Sequence, residues 1–304
     1  MKFSVNQQDL QQALSYCQGI VEKRSTLPIL SNILLDAKNS NLTITATDLD
    51  LIFIHHLNNI EVSEEGKTTT TSSIMYDIVR KFTSGKKINL TLNDKNKLHL
   101  ESEKSNFNLN CINSSEFPLT DENFSKHEFS IKSKQLLKLL NKCKFSISND
   151  ETRHYLSGIY IHKTEVEDKN YLTAVATDSH RMSISKIRLD QEIEFKPIIL
   201  PKKTIFQLCA LLDNYDGEVK ISNIQSKIKF ELKDSILISK LIDGKFPNYV
   251  QVIPKNNQKK LEIDLKIFLN SVDRVASVSL DKKDGVKFHL TKDVLNLSVN
   301  NTNS

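Results

Sequence analysis

Asp178, Ser179 and His180 stand side by side, and Ser157 follows a leucine in an alternating segment; these are residue types that acyl transfer uses. A hydrolase needs more than proximity: a nucleophile on an elbow or its equivalent, and a base oriented by a third group. The chain holds no G-x-S-x-G, Walker loop, G-x-G-x-x-G, H-E-x-x-H or paired-carboxylate motif. Asp178 also has a counterpart, Asp48, which is followed by Leu49-Asp50 in place of Ser179-His180. An aspartate that recurs while its neighbours change reads as a turn residue capping the local backbone. The chain therefore reads as no enzyme. Cys17, Cys111, Cys143 and Cys209 are widely spaced, with no CxxC and no histidine at ligand spacing, so no metal, disulfide or cofactor is expected. Cys17 and Cys143 fall in equivalent helical slots, where a free thiol behaves as a small hydrophobe.

Cations are the remaining chemistry. Lys134, Lys138 and Lys142 recur at spacing four, opposite the apolar residues Leu136, Leu137, Leu139, Leu140 and Cys143. By itself such a stripe reads first as an ordinary solvated helix face. The net charge of +5 is a mild lean towards polyanions.

The elements that must position these residues repeat. Phe3-Ser4-Val5-Asn6 returns as Phe129-Ser130-Ile131-Lys132, and Leu10, Leu14 and Cys17 return as Leu136, Leu140 and Cys143. Ala46-Thr47-Asp48 returns as Ala176-Thr177-Asp178, and Phe117-Pro118 as Phe246-Pro247. A third start, Leu261-Glu262-Ile263-Asp264, brings Phe268, Val272 and Val275 into the same slots. A register held across helix, strand and loop marks a repeated domain.

Each unit is expected to run β-α-β-β and then α-β-β-β, an α+β fold of two helices on a mostly antiparallel sheet. In the first helix Leu10, Ala13, Leu14 and Cys17 pack while Gln7, Gln8, Gln11 and Gln12 take other faces; in the third, Phe268, Leu269, Val272 and Val275 pack. The second helices pack through Met75, Ile78, Val79 and Phe82, then Ile205, Leu208, Cys209 and Leu212. Expected domains are 1–122, 127–254 and an incomplete 259–304, whose half-covered core should be marginal by itself.

The apolar share of 38% and charged share of 26% suit globular domains with real cores. No stretch approaches the ~20 apolar residues of a membrane span, and Met1-Lys2-Phe3-Ser4 is no signal peptide, so a cytoplasmic protein without membrane contact is expected.

Four segments in order on this frame resemble the bacterial β sliding clamp family, the β subunit of DNA polymerase III. They are Arg24-Ser25-Thr26-Leu27-Pro28-Ile29-Leu30, Thr47-Asp48-Leu49, Thr177-Asp178-Ser179-His180-Arg181-Met182, and Ser239-Lys240-Leu241-Ile242-Asp243-Gly244-Lys245-Phe246-Pro247-Asn248-Tyr249. The resemblance implies three like-folded domains forming a half ring, two chains closing head to tail around duplex DNA, and helices lining the channel. It also implies a processivity factor that tethers its polymerase. Such a ring holds DNA by topology with loose phosphate contacts.

By the same resemblance Lys134 and Lys138 belong on the channel wall. Arg24 matches a DNA-contacting arginine, and His154 and Tyr155 match an aromatic pair that touches DNA, where two tyrosines are common. Lys202 and Lys203 match a basic pair facing DNA; two cations at a helix N-terminus oppose the macrodipole, and a partner anion would offset that. Leu156, Thr177, His180, Arg181, Met182, Pro247 and Val252 match the wall of a groove for a short peptide motif. The polymerase catalytic subunit, the clamp loader and other clamp-binding proteins carry that motif. Gln251 and Lys283 depart from the family's wall residues. Phe107 and Leu109 match the apolar patch of the homodimer joint, with Ser277 and Val278 as its complement. The family places larger aliphatics there, and its last edge strand lies at or beyond Ser304, so this chain alone is expected not to close a durable ring. The rival reading is a repeat-built scaffold without nucleic acid, for which replacing Arg24, Lys202 and Lys203 would change only solubility.

Overall fold

In the computed structural model, residues 1–22, 26–119, 124, 128–190, 192–224, 226–279 and 285–299 are described. The chain divides into two compact units, Met1–Phe246 and Pro247 onward.

The first unit contains two copies of one motif. The first copy runs β1 (Lys2–Asn6), α1 (Gln7–Cys17), β2 (Asn32–Lys38), β3 (Asn41–Thr47), β4 (Leu51–Leu57), β5 (Glu61–Glu64), β6 (Gly66–Thr71), α2 (Ser72–Val79), β7 (Lys87–Leu92), β8 (Lys97–Ser102) and β9 (Ser105–Ile112). The second runs β10 (Glu128–Lys132), α3 (Ser133–Asn141), β11 (Gly158–Val166), β12 (Lys169–Thr177), β13 (Met182–Arg188), β14 (Ile198–Pro201), α4 (Lys202–Asp213), β15 (Glu218–Asn223), β16 (Lys227–Glu231) and β17 (Ser235–Lys240).

Residue chemistry accounts for these elements. Asn6 caps α1 by accepting from the Gln8 amide at 2.9 Å. Leu10, Ala13, Leu14 and Cys17 then fall on one stripe with no exposed surface. Leu140 takes the slot of Leu14 in α3 and is equally buried; truncating either to alanine removes ~2–5 kcal/mol of packing. In α4 Ile205, Leu208, Cys209 and Leu212 are all buried, as their spacing requires.

The copies are joined through their sheets. β17 of the second pairs antiparallel with β4 of the first, Ser235 opposite His55 and Ser239 opposite Leu51. One sheet thus runs β10-β15-β16-β17-β4-β3-β2-β6-β9-β8-β7-β1-β5, beside a four-stranded sheet β13-β12-β11-β14.

Several expectations need correction. Each copy carries strands that the β-β step omitted: β4, β5 and β6 before α2, and β13 and β14 before α4. Period-two alternation fails for β6, where Thr68, Thr69 and Thr70 are all buried. The hydroxyls of the last two find carbonyls instead, Thr69 donating to Ile112 at 2.8 Å and Thr70 to Asn110 at 3.3 Å. Gln7 is buried rather than on an outer face, because its Nε2 donates to the Val79 carbonyl at 2.8 Å and ties α1 to α2. Cys143 is buried but lies two residues beyond α3. Ile78 and Phe82 pack against the core while staying half-buried, and Phe82 lies three residues beyond α2.

The second unit holds α5 (Leu265–Ala276), β18 (Lys287–Leu290) and β19 (Leu295–Ser298), the two strands pairing antiparallel. Asp264 caps α5 by accepting from Ile267 at 2.9 Å. Phe268, Val272 and Val275 are half-buried, and Phe268 lies 5.8 Å from Phe288 ring to ring. Leu269 is 62% exposed, against the expectation that it packs. No residue of α5 is fully buried, since one helix over a two-stranded ribbon cannot enclose a core.

Candidate functional site

A short 3-10 turn, Glu151–Leu156, carries the aromatic pair. Asp150 caps it, accepting from the Thr152 amide at 3.0 Å, the Thr152 hydroxyl at 2.6 Å and Arg153 Nε at 2.8 Å. The Thr152 hydroxyl and the Arg153 guanidinium hold the Asp150 carboxyl below its usual range. His154 is exposed and Tyr155 half-buried, with rings edge-to-face at 5.9 Å. His154 Nε2 lies 3.1 Å from the Asp243 carbonyl. The next residue, Gly244, has φ +152°, and a Cβ there would come within 3.2 Å of Tyr155 Cβ. Leu156 points inward, 3% exposed.

The cations differ in their surroundings. Lys134 and Lys138 project from α3 into solvent; Lys142 is exposed one residue past its end. Lys134 meets Asp216 at 2.6 Å, but both side chains are about three-quarters exposed (75% and 77%), so the pair is weak. Lys202 and Lys203 form the first two residues of α4. Lys202 donates to the Asn149 side-chain oxygen, a neutral partner. Lys203 donates to the Asp48 carboxylate and, at 2.9 Å, to the Ile20 carbonyl, both in the first copy. The partner anion that the helix N-terminus calls for is thus intramolecular at Lys203. Arg24 and Lys283 lie outside the described residues.

Asp48 and Asp178 make the same turn. Asp48 Oδ1 accepts from the Asp50 and Leu51 amides at 3.0 and 2.6 Å, and Asp178 Oδ1 from those of His180 and Arg181, both at 3.0 Å. Leu49 and Ser179 follow them with φ of 78° and 76°. Burial works against the Asp178 charge, yet the Arg181 and His180 amides and the Arg181 guanidinium outweigh it and hold the carboxyl below its usual range. Ser179 Oγ accepts from Arg153 at 2.7 Å. These atoms are committed to shaping a turn.

That turn sets the rest of the expected peptide wall. Thr177 Oγ1 donates to the Arg181 carbonyl at 2.7 Å, Arg181 lies over the exposed Phe145 ring at 5.8 Å, and His180 is exposed. Met182, half-buried, begins β13. Thr177, His180, Arg181 and Met182 are therefore gathered at one end of the β12–β13 hairpin. Pro247, Gln251 and Val252 belong to the second unit, where Val252 is 68% exposed.

On the first copy Phe107 is exposed on β9, while Leu109 is buried and packs into the core, so Phe107 carries the apolar patch there. Over Ser105–Asn110 the edge of β9 away from β8 has no strand partner among the described residues. Phe107 stands edge-to-face with Phe82 at 5.8 Å, and a cleft of about 390 Å³ lined by Ile74, Ile78, Phe82 and Phe107 lies beside it. Ile78 and Phe82 pack against the core on one side, and only the tertiary structure shows that they also face this cleft. Ser277 and Val278 are exposed just beyond α5. Arg153 and Asn149, which orient the turn and Lys202, carry no signal in the sequence.

Known family models cover nearly the whole chain. The DNA polymerase III beta subunit models match in order: the N-terminal domain over residues 1–121, the central domain over 130–248 and the C-terminal domain over 250–304. The chain belongs to the beta sliding clamp family. It is 34% identical to the beta sliding clamp of Caulobacter vibrioides over 303 residues, spanning 99% of this chain and 81% of that protein. With the beta sliding clamp of Rickettsia felis it shares 36% over 304 residues, 98% and 78% of the two chains. The C. crescentus beta sliding clamp crystal structure matches with a TM-score of 0.95 at 34% identity, covering 100% of this chain and 81% of that one. The Bartonella birtlesii sliding clamp, solved bound to griselimycin, matches at 0.94 and 35%, covering 100% and 82%. As a sliding clamp the chain is by class a DNA polymerase processivity factor, with the clamp's repeated helix-and-sheet fold. No described helix is long and apolar enough to cross a membrane, and no described group of His, Cys, Asp and Glu is placed to hold a metal ion.

Proposed function

We propose that this chain is a non-catalytic clamp protomer that encircles duplex DNA with a second copy and tethers the replicative polymerase and other motif-bearing partners. The observation that carries this reading is the match of all three beta-subunit domain models in order along the chain. It works as three clamp repeats, 1–122, 127–254 and 259–304, in the cytoplasm. Lys134, Lys138, Lys202, His154 and Tyr155 face the DNA. The first three support this by exposed or neutrally partnered charge, which suits sequence-independent phosphate contact. The hairpin end at Thr177, His180, Arg181 and Met182 takes the partner peptide. Half-buried apolar groups beside polar orienting groups suit such a ligand. Phe107 meets Ser277 and Val278 of the second copy.

Retention on DNA of two topologies tests the central claim. With a clamp loader and ATP, and with free chain in the running buffer to hold a weak joint closed, more of the chain should co-elute with a nicked circular plasmid in gel filtration than with the linearised form. Equal retention on both forms would overturn encirclement.

A further inference from the structure

The two cations that open α4 keep different company. Lys202 meets a neutral amide oxygen, so its charge is uncompensated there. Lys203 meets a carboxylate on the other repeat, and the two partners are unequally free: the Asp48 side chain is 8% exposed, the Lys203 side chain 45%. The second oxygen of Asp48 is fixed by the Asp50 and Leu51 amides. The anion therefore cannot follow the lysine outward. Other links run the same way, Gln207 Nε2 to the Tyr16 carbonyl at 2.6 Å and Lys240 to Asp50 at 2.7 Å.

We propose that Asp48 withholds Lys203 from the DNA phosphates and uses it to staple the first repeat to the second. The phosphate half rests on the duplex-DNA reading above. A phosphate approaching Lys203 must approach the Asp48 carboxylate as well, so the pair presents little net charge and releases no counterions. Drawing Lys203 away would strand a nearly buried carboxylate, which is costly. Asp48 also supplies the negative charge that two cations at a helix N-terminus require.

Asp48→Asn separates charge from shape, since the amide oxygen still accepts from the Asp50 and Leu51 amides. Binding of a short linear duplex to the full chain, followed by fluorescence anisotropy across a KCl series, reads the phosphate contacts. Lys202→Met should flatten the salt slope by about 0.9, the value of one phosphate contact, and Asp48→Asn should steepen it by about 0.9. Lys203→Met should leave it unchanged, and the double variant Asp48→Asn, Lys203→Met should return to the wild-type slope. Hydrogen exchange reads the staple at two amides that cross the joint, His56 to the Asp234 carbonyl and Lys240 to the Asp50 carbonyl. Protection there should fall about fivefold in either single variant and no further in the double. A Lys203→Met slope as flat as that of Lys202→Met, with Asp48→Asn unchanged, would overturn the proposal. If Lys202→Met and Lys138→Met both leave the slope untouched, the duplex reading fails. The staple is then decided by exchange alone: non-additive loss upholds it and unchanged protection overturns it.

Discussion

Burial pushes the Cys17 thiol up to about 12 and the Cys143 thiol to about 11. At about pH 8 the thiolate fraction at Cys143 is on the order of one in a thousand, and thiolate is the reactive form. Iodoacetamide should therefore spare Cys17 and Cys143 in the folded chain and label half-buried Cys111 first. Peptide mapping after a timed pulse checks this; early labelling of Cys17 would contradict the packing. The slots of these cysteines were legible from the repeat, because a core position at fixed helical spacing tolerates only small apolar groups. The Asp48 and Asp178 turns were legible for a similar reason, since a recurring aspartate reports a local backbone need. Leu109 was not, because alternation along β9 gives Phe107 and Leu109 the same face and cannot say where the core ends.

Helix positions are legible in the sequence, helix faces only in part, and strands least. The buried stripes of α1 and α4 follow from spacing alone, whereas β6 is a run of threonines whose burial depends on carbonyls of β9, distant in sequence. The β4–β17 pairing likewise joins residues about 180 apart, beyond any local pattern. That joint carries His55, whose Nδ1 lies 2.7 Å from Ser235 Oγ and whose ring stacks on Phe53 at 6.0 Å. Burial lowers its pKa; Asp234 and Asp9 pull it up, and neighbouring His56 pulls it down. A histidine lowered on folding is kept neutral by the native state, so protons favour the unfolded chain. Its contribution is whole above the ordinary value of 6.5 and is lost as pH falls through the folded value. The thermal midpoint should therefore drop on acidification from about pH 7 to 5, and His55→Asn should lessen that drop. Calorimetry across this range decides; an identical pH profile for the variant would place the titration elsewhere.

At the scale of the molecule the two units differ in kind. The first encloses a continuous core from Phe3 to Leu237; α5 in the second has no fully buried residue. Self-association, as proposed, pairs the Phe107 patch with Ser277 and Val278. A serine there offers less apolar area than the larger aliphatics of the family, and hydrophobic association scales with that area. Light scattering across a concentration series should give a molar mass near 34.7 kDa at low micromolar concentration, rising as the chain is concentrated. A mass of twice that value, independent of concentration, would show that the joint is strong despite Ser277.

The sequence alone determined the repeat, most of the helical stripes, the capping aspartates and the family likeness. Each is written in spacing or in residue type, and both survive without coordinates. Only the tertiary structure decided how the two copies share one sheet, that Leu109 turns inward while Ile78 and Phe82 face a cleft, and that Lys203 already has its anion. Those facts depend on which distant groups meet. Two adjacent lysines look identical in sequence, and what separates them is a carboxylate that the chain folds against one and not the other.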